Sequence, residues 1–265
     1  MNNLHRELAP ISSEAWAQIE EEVARTFKRA LAGRRVVDVK GPNGNAFGAV
    51  ATGRQAAIAA PREGVQARQR EVKAVVELRV PFTLSRDAID AVEHGANDAD
   101  WQPAKDAATR MALAEDSAIF DGYAAAAIVG IRAGSSNQPV PLPAKVADYP
   151  AAIAQALSQL RLAGVDGPYS VLLGADAYTA LSEASDGGYP VREHIERIVN
   201  GEIIWAPAIR GGCVLSTRGG DFDLHLGQDL SIGYQRHDDT TVSLYLQETL
   251  TFLLQTPEAA VAVMP

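Results

Sequence analysis

The stretch from residue 41 to 75 sets the tightest limit on what this chain can fold into. It reads GPNGNAFGAVATGRQAAIAAPREGVQARQREVKAV, with scattered glycine and proline, weak alternation and few large apolar side chains. Such a segment cannot bury enough apolar surface to build a core of its own. It reads as an extended two-stranded arm that projects from the body and finds its packing partners elsewhere. A surface β-meander on the same domain has the same periodicity and stays open at this level. An arm that must borrow a core points to an oligomer.

The flanking sequence is richer. Trp16, Ile19, Val23, Phe27 and Leu31 recur at helical spacing, with Ser13 as N-cap, Lys28 and Arg29 near the end and Gly33 as a stop. RRVVDV follows as a short strand. VPFTLSRDAIDAVEHG predicts a strand, then a helix from about Ser85 to Gly95. The alanine-rich run at 104–131 predicts the longest helix, and Pro139, Pro141, Pro143 and Pro150 mark the best boundary in the chain. Beyond it helix and strand alternate to about residue 215, and the remainder reads as β.

At 265 residues, 47% hydrophobic and 22% charged, the chain has material for one large domain or two modest ones. Its 24 basic and 33 acidic residues give a net charge of −9, which disfavours a general nucleic-acid binder. Arg25, Lys28, Arg29, Arg34 and Arg35 are the best candidates for a local basic patch, although Glu20, Glu21 and Glu22 lie just upstream. The single cysteine, Cys213 in GGCVLST, excludes an intrachain disulfide and a thiolate metal cluster, and its apolar flanks make it a core residue. The N-terminus lacks a basic region followed by an apolar stretch, and the longest apolar run, YAAAAIVGI, is far short of the roughly 20 residues that span a bilayer. A soluble, cytoplasmic chain with no membrane partner is expected.

Signatures of catalysis are missing: no G-x-S-x-G, P-loop, G-x-G-x-x-G or H-E-x-x-H. A triad assembled from distant residues leaves no local trace. NDADW starts like an EF-hand loop, but the later glycine and closing glutamate are out of place, and helix capping is the better reading. His194 lies on a charged helix face, and His94 suits a helix C-terminus. RGGDFDLHL sets Asp221, Asp223 and His225 at alternate positions, one face of a strand. Those residue types could ligate a metal, yet they read more simply as the wet face of a half-buried strand, with Phe222, Leu224 and Leu226 towards the core. No enzyme activity, no metal and no cofactor are expected.

Several stretches taken together resemble the encapsulins, the linocin-like bacterial shell proteins, and especially their actinobacterial members. They are the first 39 residues, ELRVPFTLSRDAID, AGVDGPYSVLLGADAY, GGYPVREHIERIV, IIWAPAI, TRGGDFDLHLGQDLSIGY and LYLQETLTFLL, in the family's order and across essentially the whole chain. The resemblance implies an α+β fold of the HK97 phage-capsid type that self-assembles into an icosahedral compartment of about 60 copies. Residues 1–44 would begin the P-domain, 45–75 would be the E-loop arm and 76–134 the P-domain with its spine helix. Residues 135–217 would be the A-domain, and 218–265 the closing P-domain strands.

The same resemblance implies that the shell holds a cargo enzyme by a short C-terminal peptide. Carried over, the groove would have Phe27, Leu31, Arg34 and Asp38 on one side and Asp229, Leu230, Ile232 and Tyr234 on the other. Ser185, Asp186, Gly187, Gly188 and Tyr189 would line a five-fold pore, where a ring of Asp186 carboxylates would favour cations. The cargo in such systems is a dye-decolourising peroxidase or a ferritin-like protein. Some relatives bind flavin, but apart from Phe82 no aromatic stands near 80–90, so none is expected here. Two other readings remain: a prophage major capsid protein, against which an acidic inner wall would weigh, and a secreted bacteriocin-like or hydrolytic protein.

Overall fold

The computed structural model describes residues 3–265, apart from the side chain of Asp186. Helix α1 (Ser13–Ala30) buries Ala15, Ile19, Val23, Phe27 and Ala30 along one stripe. Ser12, one residue before the expected cap, accepts a hydrogen bond from the Ala15 N–H at 3.2 Å. RRVVDV is only partly strand: Gly33–Arg35 form a 3-10 turn, and β1 is Asp38–Lys40. Asp116 causes this, because its two carboxylate oxygens accept from the N–H groups of Ala32 and Gly33, both at 2.8 Å.

The arm is present. β2 (Ala49–Ile58) and β3 (Ala67–Ala74) pair only with each other, from Ala49↔Ala74 to Ile58↔Ala67. Cross-strand partners share a face, so Arg68 and Arg70 lie on one side with Ala57 and Gln55. Ile58 and Ala56 lie on the other with Ala67 and Gln69. Ile58, Val65 and Val72 are 48%, 52% and 56% exposed, so the ribbon is largely uncovered by its own chain and touches the body only near its base, where Lys73 Nζ donates to Ala127 O at 2.9 Å.

β4 (Val76–Ser85) leads into α2 (Arg86–Glu93), capped by Ser85 and closed at His94. Helix α3 (Gln102–Phe120) packs along α1 through Ala104, Ala107, Ala108, Met111 and Ala112. It stops at Phe120, eleven residues short of the expected end at 131. Gly122 adopts φ +90°, and the chain folds back so that Tyr123 bridges Ile128. Gly130 then lies against the Phe120 backbone, where a Cβ would collide. A short α4 (Ile131–Gly134) follows.

The alternating middle comprises β5 (Val140–Pro141), α5 (Tyr149–Leu162), β6 (Tyr169–Leu173), α6 (Ala175–Glu183), β7 (Ser185–Asp186), β8 (Tyr189–Pro190), α7 (Val191–Val199), β9 (Ile203–Trp205) and β10 (Gly212–Ser216). The chain closes with β11 (Phe222–Leu226), β12 (Ser231–His237), β13 (Thr241–Leu254) and β14 (Ala260–Met264).

β13 organises the first sheet. Leu250 pairs with Val76 of β4 and with Leu226 of β11, so these strands flank opposite edges. Leu246 pairs with Val80 of β4 and Ile232 of β12. β11 and β12 therefore lie end to end along one edge of β13, broken by the turn at 227–230, and β1 runs parallel outside β11. The second sheet has the order β5-β14-β10-β6-β9. Residues 218–265 thus do not stay together as expected: β14 crosses into the second sheet. Its run Ala260–Val263 is buried throughout, as suits an inner strand flanked on both edges. One apolar core joins α5, α7 and the second sheet to β11, and another lies between α1, α3, β4 and β12.

Candidate functional site

The second core supplies the floor of the expected groove. Phe27 and Leu31 from the end of α1 and Ile232 from β12 are buried in one cluster, with Leu230 and Tyr234 packed half-buried at its rim. Tyr234 also fixes the N-terminal segment, its N–H donating to Leu4 O at 2.8 Å. Arg34 and Asp229 meet across the rim at 2.9 Å. Asp38 stands apart. The β1 register sets it beside Asp223 near the start of β11, whereas Asp229 follows the end of that strand. Its carboxylate accepts from the Gly220 N–H at 2.5 Å and borders a cavity of about 220 Å³ with Arg35, Thr217 and Asp221.

Arg34 reaches further inward than its sequence position reveals. Its Nε and Nη2 donate to Glu115 at 2.8 and 2.7 Å, Nη2 also meets Glu248, and Nη1 takes Asp229. The guanidinium lies 5.2 Å from the centre of the Phe27 ring. Glu115, Asp116 and Glu248 are completely buried. Burial pushes the Asp116 carboxyl up to about 7, against its hydrogen bonds from Ala32 and Gly33. Burial, then the neighbouring Glu115, holds Glu248 well above the usual carboxylate range. The signal for these residues was a carboxylate where period-two spacing demands an apolar side chain: Glu248 shares a strand face with Leu246 and Leu250. Of the basic patch expected at 25–35, Arg25 pairs with Glu22, Arg34 with its carboxylates and Arg35 with Glu202, while Lys28 and Arg29 stay exposed on α1.

The sequence matches the family described as "Encapsulating protein for peroxidase" (Linocin_M18) over residues 1–251. It is 62% identical over 263 residues to a Rhodococcus erythropolis protein named type 1 encapsulin shell protein, covering 99% of this chain and 100% of that one. The chain belongs to the encapsulin family. Its fold is that of the HK97-like capsids. It superposes on the virus-like particle of Pyrococcus furiosus with a TM-score of 0.65 at 18% identity, covering 94% and 99% of the two chains. Against Gordonia phage Cozz the TM-score is 0.54 at 13% identity, over 88% and 85%.

In this encapsulin-family chain the expected pore residues form a hairpin. Ser185 pairs with Pro190 and Asp186 with Tyr189, joined by Gly187 and Gly188 at φ +55° and +87°. The Tyr189 hydroxyl donates to Glu193 at 2.7 Å, and Arg197 lies over its ring. The Asp186 side chain falls outside the described residues.

Asp221 and Asp223 correct the expectation of a wet strand face, since both are buried. Arg218 grips Asp221 with two bonds of 3.0 Å, and Lys40 and Gln255 hold Asp223 at 2.8 and 2.9 Å. A cation on each carboxylate, joined at Asp223 by the Gln255 amide, thus replaces much of the solvent, while Asp223 Oδ1 stays buried without a hydrogen bond. His225 is half-buried, and burial lowers its pKa. Cys213 is enclosed in the core, with its thiol pushed up to about 12 by burial. No helix among the described residues is long and apolar enough to cross a membrane.

Proposed function

We propose that this chain is the self-assembling, non-catalytic shell protein of an icosahedral compartment of about 60 copies that encloses a cargo enzyme. The observation that carries the reading is the β2–β3 ribbon, exposed on both faces and lacking a core within its own chain. A two-stranded ribbon is marginal alone, so a neighbouring copy supplies its cover. Residues 45–75 are then the intersubunit arm, the second sheet and its helices are the A-domain, and the 185–190 hairpin faces a symmetry axis.

The cargo site is the rim around Arg34, Asp229, Leu230 and Tyr234 above the floor of Phe27, Leu31 and Ile232. Half-buried apolar side chains beside an ion pair suit a short peptide with aliphatic anchors. Repetition over the shell would turn weak single contacts into firm retention of an oligomeric cargo. The family's description favours a peroxidase cargo, and a ferritin-like cargo is the alternative.

Electron microscopy of the purified protein tests assembly: closed uniform particles are expected, and a stable monomer overturns the reading. For the groove, Leu230→Asp and Tyr234→Ala should leave particles intact but empty when co-expressed with the cargo. Phe27 and Ile232 make poorer tests, since a charge at either buried position would break the fold itself. Particles of the rim variants that retain full cargo would refute the groove.

A further inference from the structure

The charges on the β2–β3 ribbon are as lopsided as its packing. Residues 49–74 carry five basic residues against two acidic, a net charge of +3 that leaves −12 on the rest of the chain. Arg68 and Arg70 share one face, opposite Ala57 and Gln55 of the other strand. Arg54 lies in the register shift between Ala51 and Gln55, and Arg62 lies in the turn. All four arginines are exposed, and among the described residues none has an ion pair. Like charges gathered on so thin a ribbon repel one another, and an anionic surface laid against it would relieve them.

The opposite pattern surrounds α2. Residues 87–100 hold Asp87, Asp90, Glu93, Asp98 and Asp100 and no lysine or arginine. Asp87, Asp90 and Glu93 recur every third residue along the helix, while Ile89 and Val92 are buried beneath it. All five acids are exposed, and among the described residues none is in an ion pair. The adjoining cation, Arg86, is turned back to Asp238 O at 3.5 Å. The basic and acidic surfaces lie at the two ends of β4, which follows the ribbon and leads into α2. Its ten residues pair with β13 from Val76↔Leu250 to Ser85↔Thr241, which sets the base of the arm about 30 Å from the start of α2. No hydrogen bond or ion pair among the described residues joins the ribbon to α2 of its own chain.

We propose that the arginine face of the ribbon docks on the acidic side of α2 in a second copy of this chain. The proposal rests on the reading of the arm as intersubunit and names the surface that the arm meets. Opposite charges at two ends of one subunit make a head-to-tail contact, in which every copy gives an arm and receives one. Repeated with rotation, such a contact closes into a ring. Arm against arm would set arginine on arginine, which excludes that pairing. Val72 shares the face of Arg68 and Arg70 and is 56% exposed, so it adds apolar burial to the same contact. The ion pairs choose the partner surface and its orientation, and the apolar side chains hold it.

The test dissociates particles of the full chain and lets them reassemble over a series of subunit concentrations, followed by light scattering. Arg68→Glu with Arg70→Glu should raise the concentration needed for assembly about tenfold or more, since two ion pairs become two repulsions at every contact. Asp90→Lys with Glu93→Lys should do the same. All four changes in one chain exchange the signs and restore the match, so assembly should return towards the native concentration. Should the α2 pair lose its helix by circular dichroism, Asp90→Asn with Glu93→Gln serves instead. It should improve assembly of the Arg68→Glu, Arg70→Glu chain by removing the repulsion. Arm variants that assemble at the native concentration overturn the docking, as does a four-fold variant no better than its parents. Arm variants that assemble normally but lose copurifying nucleic acid would give the ribbon to a polyanion and overturn it too. If deletion of residues 50–70 still blocks assembly in any of these cases, the arm stays intersubunit and only its seat on α2 is refuted. If that deletion assembles, the reading of the arm itself has failed.

Discussion

The carboxylate of Asp116 accepts the Gly33 N–H at 2.8 Å across 83 residues of sequence. Its other oxygen takes Ala32 at the same distance, so one side chain anchors the end of α1 to α3. Asp116→Ala should destabilise the chain by about 1–3 kcal/mol for each buried N–H left without a partner. Chemical unfolding of the native and variant proteins measures this. Gly33→Ala should act in the same direction, since a Cβ there would press on Ile119 and Asp116.

Asp116 also makes stability depend on pH. Its ordinary value is 3.8 and its folded value about 7, so between these the folded chain keeps a proton that the unfolded chain has released. Stability from this group is greatest below 3.8, falls as pH rises to about 7 and is level above. Asp116→Asn should lose that slope. The native protein should gain on it by a few kcal/mol on going from pH 8 to pH 4, at about 1.4 kcal/mol per pH unit. Equal pH profiles for the two proteins would contradict the assignment.

Gly233 lies under the ring of its cross-strand partner Tyr245, leaving no room for a Cβ. Arg79 stacks on that ring at 4.6 Å, and the Tyr245 hydroxyl donates to Asn3 O at 3.1 Å. Gly233→Ala should lift the ring and free the N-terminal segment. Limited proteolysis should then cut near the N-terminus faster than in the native protein, while α1 stays folded.

Removing residues 50–70 should leave a folded but unassembled subunit. No residue of that segment belongs to either apolar core. Helical content by circular dichroism should therefore persist while size-exclusion chromatography shows no particle. Loss of the fold would mean that the ribbon supports its own chain.

What could be read in advance follows a physical line. The α1 stripe and most strands rest on spacing within one segment, and the two-stranded ribbon on a local shortage of large apolar side chains, and there the expectations match the structure. The end of α3 was missed because alanines continue past Phe120 as though the helix did. The stop comes from Gly122 and from the fit of Gly130 against backbone. Asp221 and Asp223 alternate as a wet face would, but Arg218 and Lys40 bury them as pairs. The Arg34 cluster draws on positions 34, 115, 229 and 248, which share no local pattern. Only Glu248, a lone carboxylate on an apolar strand face, hinted at it.

The placement of β13 has a consequence for when this chain can fold during synthesis. β4, β11 and β12 all bind to it, and at residues 241–254 it comes far behind β4 at residues 76–85. Until the ribosome has released that strand, β4 has no sheet to join, and the floor beneath α1 lacks Leu244 and Leu246. A chain whose early half waits on so late a strand cannot mature progressively from the N-terminus. Folding of the first sheet is thereby postponed until residue 254 has been made, and a product that stops before β13 exposes the unpaired edge of β4 instead of a subunit.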